Sequence, residues 1–116
     1  MLCIAGFDGY FKKLNRAWFK TLGFSEEELF ARPYLDFIHP DDREATLAEA
    51  GKCAQGVSVV WFQNRYSCRD GSYRWLLWRA VPDTERGVIY AVARDMTEQK
   101  VLEDQLRVAS SWHGTL

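Results

Sequence analysis

Short apolar runs punctuated by turn dipeptides open the chain. "LCIAGF" leads into Asp8-Gly9, which supplies the positive-φ turn of a tight hairpin, and "YFKKLN" returns as a second strand. From Asn15, an N-cap candidate, Ala17, Trp18, Thr21 and Leu22 recur at helical spacing until Gly23 closes the segment. "SEEEL" matches a capping box in which the Ser25 hydroxyl accepts from the Glu28 N–H and the Glu28 carboxylate accepts from the Ser25 N–H. That short helix stops before Pro33, and "YLDFI" reads as an apolar turn ending at "HPDDR". Pro40 suits a first helical position, and Asp41, Asp42 and Glu44 put negative charge at the positive end of a helix running through "EATLAEAGKCAQ" to Gly56. Residues 15–55 therefore read as several short helices.

After Gly56 the pattern turns β-branched and aromatic. "VSVVWFQNRYSCR", the turn residues Asp70 and Gly71, and "SYRWLLWRAV" predict a long hairpin ended by Pro82. The loop "DTERG" leads to a last strand, "VIYAVARDM", and Thr97 is expected to cap a final helix, "EQKVLEDQLRVAS". The order of two strands, a cluster of helices, three strands and a helix predicts an α+β domain with a mainly antiparallel sheet.

A two-residue Asp70-Gly71 turn would pair Cys68 with Tyr73, Tyr66 with Trp75, Asn64 with Leu77 and Phe62 with Arg79, making a largely apolar, helix-facing side. The other face would carry Ser67 with Arg74, Arg65 with Leu76, Gln63 with Trp78 and Trp61 with Ala80. On that face Trp61, Leu76 and Trp78 form an apolar patch that needs a cover. Along the terminal helix Gln99, Leu102, Leu106 and Ala109 share one side, widened by Val101 and Val108. Such a stripe suits either a two-stranded coil or a helix folded back on its own domain. The patch would be covered by a preceding helix, by this terminal helix, or by the same face of a second subunit. A homodimer through the outer face is the expectation.

With 116 residues, 47% of them hydrophobic, the chain suits one globular domain rather than two. Lys plus Arg number 15 against 16 for Asp plus Glu, which provides no broad basic field for a nucleic acid. No apolar run reaches the roughly 18 residues of a membrane span, so a cytoplasmic domain without direct membrane contact is expected. Cys3, Cys53 and Cys68 are odd in number and far apart, fitting buried thiols in a reducing compartment.

Several separated segments together resemble a PAS domain with its C-terminal PAC motif, over about residues 2–108. "DGYFKKLNRAWFKTLGFSEEEL" is similar to the family's first hairpin and helices, and "FIHPDDR" to its helical connector. "NRYSCRDGSYRWLLWRAVP" is similar to its central hairpin, and "YAVARDMTEQK" to its closing strand with an Asp-x-Thr exit. The resemblance implies a five-stranded antiparallel sheet in spatial order 2-1-5-4-3, with short helices on one face around a small cavity. It divides the chain into a core over 1–96, a signalling or linker helix over 97–109, and a tail, "SSWHGTL", expected to be disordered. It further implies a place in a larger bacterial signalling protein, most often a histidine kinase or a cyclic-dinucleotide enzyme, with the output module outside this chain. Met1 directly precedes the first strand, where the family usually has further residues, so the chain reads as an excised fragment.

Within that frame the domain itself is expected to be non-catalytic. His39 reads as a helix-start residue satisfying free amides beside Pro40, and His113 has no evident partner. The family's flavin-thiol branch carries a cysteine inside Asn-Cys-Arg-Phe-Leu-Gln, whereas Cys53 sits in "AGKCAQG". The haem-binding branch places an axial histidine in the long helix, and "REATLAEAGKCAQ" has none. Haem and flavin are thus disfavoured, and no metal is expected. A small organic ligand remains open. Asn64 is a polar amide on the helix-facing side and needs a partner; Trp18, Phe62, Tyr66, Trp75 and Leu77 would line a pocket around it, with Ala91 or Ala93 leaving room. The alternative is a filled core with Asn64 bonded to backbone or water. Asp95 and Thr97 match the exit motif, Thr97 as a helix cap and Asp95 as an anchor through a basic partner. Two other classes stand beside the sensor reading: a ligand-free dimerisation module, and a small cystatin-like α+β enzyme needing an acid or histidine in its cavity.

Overall fold

The computed structural model describes residues 1–115, with side chains described as far as Ala109. Strands β1 (Leu2–Gly6) and β2 (Phe11–Leu14) precede helices α1 (Arg16–Leu22) and α2 (Glu26–Ala31). Two 3-10 turns, Tyr34–Phe37 and Pro40–Asp42, lead into α3 (Arg43–Ala54). Strands β3 (Val59–Ser67), β4 (Tyr73–Asp83) and β5 (Val88–Asp95) follow, then α4 (Thr97–Thr115). All pairings are antiparallel and the spatial order is β2-β1-β5-β4-β3, as expected.

Local chemistry accounts for most boundaries. Ser25 and Glu28 form the reciprocal capping box, and Gly23 closes α1 at φ 83°. His39 Nδ1 accepts from the Asp41 N–H at 3.1 Å, the helix-start role read from its position. Asn15 precedes α1, but its side chain accepts from the Leu2 N–H at 3.0 Å and so ties α1 to β1 rather than capping the helix. Pro82 does not end β4: it pairs with Ile89, and the strand runs on to Asp83.

The central hairpin departs from the expected register by one residue. Ser67 pairs with Tyr73, Asn64 with Leu76 and Phe62 with Trp78, around a loop of Arg69, Asp70 and Gly71. Only Gly71 has positive φ there, at 89°, whereas a two-residue turn of this type needs Asp70 to have it as well. Asp70 instead uses its carboxylate to accept from the Ser72 N–H at 2.9 Å, and Cys68 and Ser72 close the loop at 2.7 Å. The first hairpin repeats the device: Gly6 and Tyr10 close a loop over Phe7-Asp8-Gly9, and Asp8 accepts from the Tyr10 N–H. A second break occurs at Trp61, which has φ 64°, bulges out of edge strand β3 and is 67% exposed.

The consequence is an exchange of faces along β4. Leu76 and Trp78, expected on the outer face, are 0% and 8% exposed and point to the helices. Trp75 and Leu77, expected in the pocket, alternate with them and lie on the opposite side of the sheet. The β3 assignment stands, with Asn64 and Tyr66 buried and Phe62 packed on the core.

Trp18 sits at the middle of the core, its ring centroid 5.1 Å from Phe11 and 5.6 Å from both Tyr66 and Trp78. Its indole N–H donates to the Leu2 carbonyl at 3.0 Å. Beyond β5, α4 leaves the body of the domain: Val101, Leu102, Leu106 and Val108 are all exposed, so α4 does not cover the outer sheet face. Its backbone is helical as far as Thr115. The side chains past Ala109, His113 included, and Leu116 as a whole lie outside the described residues. No described helix is long and apolar enough to cross a membrane.

Candidate functional site

Between the inner sheet face and α3 lies an apolar cavity of about 80 Å³. That is small beside the roughly 300–1,000 Å³ of pockets for drug-sized ligands. Of the residues expected around it, Phe62, Asn64, Tyr66 and Ala91 line it. Trp18 and Ala93 are buried in the same core without belonging to the lining, and Trp75 and Leu77 are across the sheet. Trp78 takes the place foreseen for Trp75. The helical wall, formed by Thr46, Glu49, Ala50 and Cys53, was missed. Its signal was the spacing of Thr46, Ala50 and Cys53 by four and three, a stripe of small side chains on one side of α3.

Asn64, 2% exposed, finds partners in two side chains. Its carbonyl oxygen accepts from the Trp78 indole N–H at 2.7 Å, and its amide donates to Thr46 Oγ1 at 3.2 Å. Thr46 in turn donates to the Asp42 carbonyl at 2.8 Å. The Asp42 carboxylate then accepts three bonds from Arg65: the backbone N–H at 2.8 Å, Nε at 2.9 Å and Nη2 at 2.8 Å. A polar chain thus runs from the cavity wall to the edge of β3, joining β4, β3 and the start of α3.

The Arg65 guanidinium bonded to Asp42 holds that carboxyl below the usual carboxylate value, against the opposing effect of burial. A depressed folded-state value means that the stabilisation is complete above the unfolded carboxylate pKa and is lost as pH falls through the folded one. Asp42→Asn is therefore expected to cost about 1–3 kcal/mol at neutral pH. Its deficit against wild type should shrink progressively below about pH 4. Urea unfolding of both proteins from pH 7 to pH 2 checks this; a deficit independent of pH would remove the charged pair as its cause.

Near the start of β4, beside Arg65, Asp95 and Thr97 form a compact junction. Asp95 Oδ1 accepts from the Thr97 N–H at 3.0 Å and from its hydroxyl at 2.6 Å, while Oδ2 faces Arg74 Nη1 at 3.4 Å, the basic partner expected for it. The Thr97 hydroxyl does not serve as the foreseen helix cap: it accepts from the Trp75 N–H at 2.9 Å. Trp75 also accepts from the Met96 N–H at 2.7 Å, so the first residues of α4 are bonded to β4. Over the Trp75 ring stand Arg65, at 5.0 Å, and Lys100 of α4, at 4.9 Å. Thr97→Ala should cost about 1–2 kcal/mol by leaving the Trp75 N–H unpaired, and Thr97→Ser should retain most of it. Equal stability of all three proteins in urea would show that the bond contributes nothing.

The three cysteines are buried free thiols, and burial pushes Cys3 up to about 12, which leaves it protonated at neutral pH. Among the described residues no three His, Cys, Asp or Glu side chains cluster as metal ligands.

Comparison with known proteins agrees with this architecture. A family model described as the PAS fold matches residues 11–93. Neuronal PAS domain-containing protein 4-like from Danio rerio is 32% identical over 91 residues, 78% of this chain and 14% of that protein. The probable diguanylate cyclase DgcE of Escherichia coli (strain K12) is 27% identical over 107 residues, 88% of this chain and 10% of that protein. This chain thus spans only a small part of the length of both relatives. Among solved structures, the PAS-B domain of Drosophila melanogaster Cycle with bound ethylene glycol superposes with a TM-score of 0.70 at 21% identity, covering 81% of this chain and 97% of that one. A domain of the sensory box sensor histidine kinase/response regulator from Geobacter sulfurreducens also reaches 0.70, at 19% identity, covering 81% of each chain. The sheet order, the cavity under α3 and the match over residues 11–93 converge: this chain belongs to the PAS-fold family, whose members are generally non-catalytic sensory modules of signalling proteins.

Proposed function

We propose that the chain senses a small molecule held in the cavity beneath α3 and passes its occupancy through the β4–α4 junction to an output module beyond α4. The observation that carries this reading is the unbroken set of contacts from cavity wall to exit. Asn64 bonds to Thr46, Thr46 to Asp42, Asp42 holds Arg65, Arg65 lies over Trp75, and Trp75 is bonded to Thr97 and Met96. A ligand that displaces α3 from the sheet would shift the Asp42–Arg65 pair and, through Trp75 and the adjoining end of β5, the pose of α4. It acts by binding one of two poses better than the other. The likeness to a domain of a sensory box histidine kinase and to a diguanylate cyclase supports an output of one of those two kinds. The ethylene glycol bound to the Cycle domain supports a ligand of small size. Three reduced thiols suit a cytoplasmic setting.

A native mass spectrum of the purified chain, followed by hydrogen exchange with and without the retained or added ligand, tests the proposal. A discrete extra mass, with altered amide protection at Met96–Lys100 when it is removed, is expected. Protection changes confined to α3 would refute transmission to α4.

The outer sheet face supports a second, compatible reading. Leu2, Val81, Tyr90 and Val92 are exposed there beside Ile4 and Leu77, and α4 presents Leu102 and Leu106. Pairing of two copies through this face and α4 would bury these apolar side chains around Arg79, with Trp61 at the margin. Sedimentation equilibrium at high concentration should report a dimer; a strictly monomeric chain refutes it.

A further inference from the structure

The hydrogen-bonding capacity of the cavity wall is unevenly distributed, and that imbalance constrains what the cavity takes. Asn64 uses its carbonyl on Trp78 and one amide N–H on Thr46, and the Thr46 hydroxyl both accepts from Asn64 and donates to Asp42. Tyr66 and Tyr34 line the same cavity, yet among the described residues neither phenol hydroxyl makes a hydrogen bond. No described side-chain oxygen or nitrogen is both sealed off and unpaired. Tyr66 is only 2% exposed, so its hydroxyl, unpaired but not sealed, opens onto the cavity. Burial raises both phenols above their usual range, which keeps them neutral donors.

The remaining lining is aliphatic, aromatic or thiol, and it contains no lysine or arginine; the sole carboxylate, Glu49, is bonded to Lys52 at 3.1 Å. An anion therefore finds no counter-charge. The volume of about 80 Å³ admits a molecule of a few heavy atoms.

We propose that the cavity takes a small uncharged molecule bearing one acceptor oxygen, which the Tyr66 hydroxyl donates to, with Tyr34 as the second donor and the apolar remainder of the molecule against Phe62, Ala80 and Ile89. This assignment rests on the cavity being the sensory site, and it names the chemistry read there.

The test compares 2-butanone with 2-methyl-1-butene, which has the same skeleton with a methylene group in place of the oxygen. Each is titrated into the intact chain while the Trp78 indole N–H is followed by NMR. Wild type should bind the ketone about tenfold more tightly than the alkene, the increment of one good hydrogen bond. In Tyr66→Phe that ratio should fall toward one, and further in Tyr66→Phe/Tyr34→Phe. Both variants keep their rings and lose no protein hydrogen bond, so their melting temperatures should equal or exceed that of wild type. A lowered melting temperature would mean that the hydroxyls already have partners, and would overturn the assignment. Equal binding of the two probes, or a ketone preference that survives in the double variant, overturns the role of the phenols and leaves the cavity as a ligand site. No binding of either probe to wild type overturns both.

Discussion

Replacing Asn64 by leucine is expected to lower the unfolding free energy by about 2–4 kcal/mol, although the two side chains are similar in volume. The cost comes from what is left behind. The Trp78 indole N–H loses its acceptor inside the core, and Thr46 loses a donor. Removing one partner of a buried bond exposes the other to its full desolvation penalty, whereas removing both is far cheaper. Trp78→Phe in the Asn64→Leu background should therefore recover part of the loss, giving a coupling of about 1 kcal/mol or more between the two sites. Urea denaturation of the four proteins of that cycle measures it. Additive losses would mean that the 2.7 Å contact contributes no net stability.

A larger loss, about 3–5 kcal/mol, is expected for Trp18→Ala. Trp18 is fully buried, packs on Phe11, Tyr66 and Trp78, and ties α1 to β1 through the Leu2 carbonyl. Truncation leaves a void that these rings cannot close without losing contact with one another. For a domain of this size, with a stability on the order of 5–15 kcal/mol, the variant would sit near the edge of folding. Trp18→Phe, which retains a ring but not the indole N–H, should lose distinctly less. Equilibrium unfolding followed by near-ultraviolet circular dichroism separates the three proteins; a Trp18→Ala loss under 1 kcal/mol would mean that the core collapses around the gap.

Much of this fold is written locally. The capping box at Ser25 and Glu28, the glycine stop at Gly23 and the histidine-capped start at Pro40 all depend on residues within a few positions of one another. The inward set on β3 was equally legible, because Asn64 sits between apolar residues in a strand whose other parity is Gln63, Arg65 and Ser67. On β4 the same argument has no purchase. Trp75 and Leu77 on one parity and Leu76 and Trp78 on the other are alike in hydrophobicity, so alternation favours neither face. Loop length alone chooses between them, and one residue exchanges the faces.

Legible along the chain, then, were the order of the elements and several of their ends, the strand order through the resemblance of its motifs, and the polar group at the centre of the inner face. The tertiary structure decided which of four large β4 side chains are core. The Arg69 N–H donates to the Leu22 carbonyl of α1 at 2.8 Å, pinning a three-residue loop in place of the two-residue turn, so Trp78 rather than Trp75 reaches Asn64. It also decided that Thr97 bonds to β4 and that Tyr66 lines the cavity beside Asn64 and Trp78. Periodicity encodes which side of an element is buried; what a buried polar atom meets depends on chain segments far apart in sequence, and only their packing brings them together.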